Sequence, residues 1–125
     1  MADVRVLTPD EGERLAEGIY QLRPLLPGAR LHISGGINRP PMPHTPLMAH
    51  TFARAQAIAA ALGLEVGLGG TGGGSDANFV APLGVPVLDG LGALGNGAHS
   101  EREHISIVHL PKRAALLAAV LSEWP

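Results

Sequence analysis

Residues 69–76, GGTGGGSD, contain five glycines, and no other stretch of the chain limits the possible folds as severely. Glycine loses the most backbone freedom on folding and weakens any helix or strand it interrupts. Clustered glycine therefore marks a backbone that must bend sharply or come close to a ligand. The run leads directly into SDANF, where Ser75 or Asp76 can cap a short helix that Pro82 and Gly84 close. A merely flexible linker would not end in a cap. Gly72, Gly73 and Gly74 also leave backbone N–H groups free to form a nest of the size of a small anion.

On either side of this loop the hydrophobic pattern alternates between two periods. DVRVL (3–7) reads as a strand, and TPDE (8–11) as a helix start, with Thr8 as cap, Pro9 in the first position and Glu11 completing a capping box. Leu15, Ile19, Leu22 and Leu26 then share one helical face until Pro24 and Pro27-Gly28 break it. ARLHIS (29–34) completes a strand–helix–strand unit over residues 3–34. GGINRPPMPHTP (35–46) is a connection rich in proline and glycine. A second helix is expected from Pro46 to Leu62, with Met48, Phe52, Ala55, Ala59 and Leu62 on one face and Gly63 as its stop. LEVGL, VPVLD and HISIVHL read as further strands, and Pro111 opens a last helix that runs to Trp124. Strands alternating with helices predict an α/β architecture with a largely parallel sheet.

Composition narrows the function. The chain has 125 residues, of which 46% are hydrophobic, enough for an ordinary core. Its periodicity argues against disorder in spite of 17 Gly and 11 Pro. A net charge of −2 without a basic run excludes nucleic acid as the expected partner. There is no cysteine, hence no disulfide and no thiolate metal site. No apolar run nears the ~20 residues of a membrane span, and the N-terminus lacks a secretory pattern. A soluble cytoplasmic location is expected.

Several chemistries compete. Gly67, Gly69 and Gly72 spell G-x-G-x-x-G, with Asp89 downstream. The helix that follows is too short to carry a pyrophosphate on its N-terminus, and glycine-rich runs match this spelling easily. Ser75 has no nucleophile elbow around it and reads better as a helix cap. Of the six histidines, His32, His104 and His109 read as surface residues of strands. His99, in GNGAHSERE, sits among small residues that leave its imidazole open. A lone loop histidine is ordinarily just solvated, and one imidazole cannot hold zinc. Arg39, in NRPPM, is followed by two prolines that stiffen its backbone. It is either a plain surface residue or a planar fork suited to a carboxylate.

Taken together, NRPPM (38–42), TGGGSDANF (71–79), LGVPVLDGLGALGNGAHSERE (83–103) and LPKRAALLAAVL (110–121) resemble, in family order, the C-terminal part of the di-zinc metallohydrolases. That family includes glutamate carboxypeptidase of the carboxypeptidase G type, aminoacylase-1, acetylornithine deacetylase and succinyl-diaminopimelate desuccinylase. The resemblance covers essentially the whole chain and is nearest to the carboxypeptidase G branch. It implies that residues 1–37 are the second half of a ferredoxin-like lid and dimerisation domain, and that residues 38–125 are the C-terminal part of the catalytic domain. It implies that His99 is the last zinc ligand, in a site that holds two zinc ions in the family. Arg39 would bind the substrate carboxylate, helped by the backbone of Gly73, Gly74 and Ser75.

The family also carries an H-x-D metal motif, a bridging Asp, an E-E pair whose first Glu is the general base, and a further acidic ligand. The present 125 residues contain neither H-x-D nor E-E. The resemblance therefore implies no catalytic residue within this chain, and it implies a general-base Glu upstream of Met1. The expected function is that of a C-terminal fragment of a zinc-dependent amidohydrolase or carboxypeptidase. Its substrate would be a small amide or peptide with a free carboxylate, and the fragment itself would be inactive. The alternatives are a non-catalytic carboxylate-binding or dimerisation module and, behind it, a dinucleotide-binding domain. Exposed apolar edges would favour a homodimer or higher self-association.

Overall fold

A computed structural model describes residues 2–124; Met1 and Pro125 lie outside the described residues. The chain divides into two compact units. One comprises the residues through His44 together with Thr71–Val85; the other comprises Thr45–Gly70 and the residues from Pro86 onward. These units cut across the 37/38 division implied by the resemblance.

In the first unit, helix α1 spans Pro9–Tyr20. Its start follows the local chemistry: the Thr8 hydroxyl accepts the Glu11 N–H at 3.3 Å, and the Glu11 carboxylate accepts the Leu7 N–H at 3.3 Å. Asp10 and Glu11 in the first turn suit the positive end of the helix dipole. The helix stops at Tyr20, so Leu22 and Leu26 lie beyond it and are exposed rather than continuing its apolar face. Pro24 disfavours helical backbone at Arg23. The Arg23 guanidinium instead donates to the carbonyls of Tyr20, Gln21 and Leu22, groups at the end of the helix that lack an onward helical partner. Gly12 is buried, and an added Cβ would lie 3.4 Å from Val6 and 3.5 Å from Ile37. The Tyr20 hydroxyl donates to the Gly35 carbonyl, which ties the 35–37 segment to α1.

The second unit is built on a helix pair. Helix α2 spans Pro46–Ala61, with the Thr45 hydroxyl accepting the Met48 N–H at 3.3 Å and Pro46 in the first position. It ends in a Schellman motif. Gly63, at φ +68°, donates to Ala60, and the Leu64 N–H donates to the Ala59 carbonyl, each at 2.9 Å. The chain then returns to the first unit for helix α3, Ala77–Val80, which a 3-10 turn over Ala81–Leu83 and Gly84 at φ +75° close. Back in the second unit, strands β1 (Gly95–Asn96) and β2 (His104–Ile105) pair antiparallel, with Gly95 opposite Ile105 and Asn96 opposite His104. Helix α4 spans Leu110–Glu123. Ile58 and Ala59 of α2 meet Leu116 and Val120 of α4 in a buried core, and Leu64, Val66, Leu88, Ala119 and Trp124 pack around it. The buried face of α2 also takes in Met48, Thr51 and Ala55, whereas Phe52 is half-buried and Leu62 exposed.

The expected strands are the main departure. Among the described residues, 3–7, 29–34, 64–68 and 85–89 form no ladder, and 104–110 pairs only over His104–Ile105 before entering a 3-10 turn at Ile107–His109. The predicted parallel sheet is therefore not formed here. Alternation and β-branching describe a segment that suits a pleated surface; they do not supply the neighbour whose carbonyls and N–H groups complete the ladder.

Candidate functional site

Arg39 lies in the first unit together with residues 71–76 of the glycine-rich stretch. Its side chain runs over Gly74, where a Cβ would sit 2.7 Å from the Arg39 Cδ and 3.5 Å from Nε. Only a residue without a side chain leaves that path open. The guanidinium carbon stands 4.9 Å from the centroid of the Phe79 ring, a cation–π distance. One guanidinium nitrogen faces the Asp76 carboxylate at 3.4 Å. The two prolines after Arg39 and the loop at 72–79 thus converge on a single side chain.

Asn78 makes this convergence possible. Its amide oxygen accepts the Ser75 N–H at 2.7 Å, and its amide nitrogen donates to the Pro40 carbonyl at 2.9 Å. One half-buried side chain therefore joins the glycine loop to the residue after Arg39. Sequence reasoning missed Asn78, whose only visible signal was an amide between the cap and the aromatic residue of SDANF. It also missed Arg5, which donates to the Gly72 carbonyl at 2.7 Å and pairs with Asp3.

The anion nest is smaller than the glycines suggested. The Gly73 N–H donates to the Thr71 hydroxyl at 3.2 Å, and the Ser75 N–H is taken by Asn78. Of the expected nest, the Gly72 and Gly74 N–H groups have no internal partner among the described residues, and of the donors expected to assist Arg39 (Gly73, Gly74 and Ser75) Gly74 alone is left so. A tight loop consumes its own donors whenever a nearby hydroxyl or amide can reach them. The Ser75 hydroxyl accepts the Ala77 N–H at 3.0 Å, so Ser75 caps α3, while Asp76 at the formal cap position makes no capping bond.

His99 lies in the second unit, at the tip of the connection between β1 and β2. It is exposed and takes φ +65°, a left-handed conformation that few residues other than glycine adopt. The turn around it is well tied. The His99 N–H donates to the Glu103 carboxylate at 3.1 Å, and the Ser100 hydroxyl donates to the Gly97 carbonyl at 2.7 Å. The flanking glycines are required: a Cβ on Gly95 would fall 2.1 Å from the His104 carbonyl oxygen, and one on Gly97 would fall 2.7 Å from that of Arg102. Among the described residues no group of three or more His, Asp or Glu side chains is arranged to hold a metal. A single imidazole does not fit a zinc centre, which takes three or four protein ligands. The loop at 90–92 is held by Arg113, which donates to the carbonyls of Gly90 and Gly92 at 2.6 and 2.7 Å.

Among the described residues no strand precedes the G-x-G-x-x-G spelling, and α3 is four residues long, so the dinucleotide reading lacks its strand–turn–helix context. Against known families, residues 11–123 match the peptidase family M20/M25/M40. The chain belongs to this family. It is 33% identical over 79 residues to succinyl-diaminopimelate desuccinylase of Acinetobacter baylyi, an alignment that covers 63% of this chain and 21% of that protein. It is 39% identical over 54 residues to carboxypeptidase G2 of a Pseudomonas species, covering 42% of this chain and 13% of that protein. The chain thus spans about a fifth or less of the curated relatives it matches. No solved structure matches it. The family's domain is an α/β fold, and the family is one of hydrolases. No helix among the described residues is long and apolar enough to cross a membrane.

Proposed function

We propose that this chain carries the carboxylate-binding part of a hydrolase that cleaves an amide bond next to a free carboxylate, and that the 125 residues alone do not turn over. The observation that carries this reading is Arg39 laid along Gly74 with its guanidinium over Phe79. That arrangement lays a planar fork alongside Gly74, a residue whose N–H has no internal partner among the described residues. The names of the two relatives, a desuccinylase and a carboxypeptidase, agree with a substrate that offers an amide and a free carboxylate.

The peptidases of this family are generally metal-dependent, typically on zinc. In this reading His99 contributes one imidazole to a metal centre whose other donors come from polypeptide outside these residues, and the general base lies upstream of Met1. The donor set present among the described residues does not fit zinc by itself. Residues 1–37 are taken as the second half of a lid domain and 38–125 as part of the catalytic domain. Self-association belongs to the same reading: Leu25 is 97% exposed and Leu7 80% exposed, so apolar surface is open to a second copy.

Binding tests the reading directly. A charge-assisted hydrogen bond contributes about 1.5–3 kcal/mol. A fork plus one N–H should therefore hold a carboxylate in the millimolar range, ~4 kcal/mol. N-acetylglycine, an amide with a single carboxylate, should raise the thermal midpoint of the chain. Arg39→Ala should abolish that stabilisation, and Arg39→Lys should weaken it because the planar fork is lost. An equal response in Arg39→Ala would overturn the proposal. The second reading, a binding module with no hydrolytic partner, rests on the same clamp. It would be favoured if carboxylates bind but zinc and the remaining family segments, added in trans, restore no hydrolysis.

A further inference from the structure

The side chain of Asp76 is 97% exposed and yet rests 3.4 Å from the Arg39 guanidinium. It makes no capping bond to α3, a task that falls to Ser75, so the helix does not account for its position. Arg39 does not depend on it either, since Phe79 and the gap at Gly74 hold the guanidinium in place. We infer that Asp76 is a resident competitor at Arg39: its carboxylate occupies the fork until an incoming carboxylate displaces it, and its charge selects against ligands with a second negative group nearby. This deepens the clamp reading above and rests on it.

The physical balance favours exchange. An exposed pair at this distance contributes no more than about 1 kcal/mol, which corresponds to at most about a five-fold change in an equilibrium. A carboxylate that engages the fork with both oxygens makes stronger, charge-assisted bonds. Displacement therefore costs little, and the Asp76 carboxylate is free to swing into water. Once displaced it remains a neighbouring negative charge, which penalises a dicarboxylate more than a monocarboxylate.

The test is to titrate acetate and glutarate into the full chain at low ionic strength, with binding followed by NMR at the Arg39 Nε–Hε resonance. Asp76→Asn should tighten acetate about two- to five-fold and tighten glutarate by a larger factor. Asp76→Glu, which keeps the charge, should retain the wild-type preference between the two ligands. A structural role for Asp76 would not change that ratio. If Asp76→Asn leaves both affinities unchanged or weakens them while Arg39→Ala abolishes wild-type binding, the competitor role is overturned and the clamp stands. If neither wild type nor Asp76→Asn binds either ligand, the clamp and the competitor fall together.

Discussion

The second unit and the first are held by different forces. The second buries Met48, Ala55, Ile58, Ala59, Leu116 and Val120, with Leu116 only 2% exposed, so apolar burial carries its helix pair. The first has Gly12 as its buried residue and leaves Leu7, Leu25 and Leu26 in water. It is tied by polar contacts from side chain to backbone: Arg5 to Gly72, Tyr20 to Gly35, and Asn78 to both Ser75 and Pro40. The candidate carboxylate site lies in this polar-tied unit. Burial is non-directional and tolerates small shifts, whereas hydrogen bonds fix direction. A site that must aim a guanidinium suits the second kind of support.

Three substitutions would break or sharpen this contrast. The largest effect is expected from Leu116→Ala, which should cost about 2–5 kcal/mol by leaving a cavity between α2 and α4. Trp124, the only tryptophan, packs against that core, so its fluorescence during urea unfolding reads the loss. An unchanged midpoint would show that burial does not carry this unit.

Asn78→Ala comes next. It leaves the Ser75 N–H and the Pro40 carbonyl without their partner, at about 1–3 kcal/mol where water cannot reach them. It should also loosen the Arg39 segment from the loop, which glutarate binding would report as weaker affinity. Full retention of both stability and affinity would mean that Asn78 does not organise the site.

Gly74→Ala should have the smallest effect on stability, within about 0.5 kcal/mol, because the loop is exposed. Its effect on binding should be large. The new methyl would stand 2.7 Å from the Arg39 Cδ, so the arginine side chain must shift from its present path. Loss of glutarate binding with an unmoved thermal midpoint is the expected result. Retained affinity would show that the path over Gly74 is not what positions the fork.

Much of the local structure was legible beforehand because it depends on neighbours in sequence. Thr8 and Thr45 cap their helices, Pro9 and Pro46 open them, and Gly63 and Gly84 end segments in left-handed backbone. Ser75 as a cap and His99 in an open loop belong to the same class. Membership in the hydrolase family was likewise readable, because several motifs recur in order and the family match spans residues 11–123. The early end of α1 was less legible, since the apolar spacing of Leu22 and Leu26 continued past the point where Pro24 and Arg23 stop the helix.

Only the tertiary structure decided the rest. Strand-like patterns at 3–7, 29–34, 64–68 and 85–89 pair with nothing among the described residues, because a ladder needs a partner that local sequence cannot provide. The aim of Arg39 required Gly74, Asn78 and Phe79 to arrive from more than thirty residues away. The same fold spent the Gly73 and Ser75 N–H groups on Thr71 and Asn78, which a list of glycines could not reveal. Caps and turns are settled by dihedral preferences and bonds a few residues long. The direction of a guanidinium, and which donors stay free beside it, are settled by contacts between segments that meet only when the chain has folded.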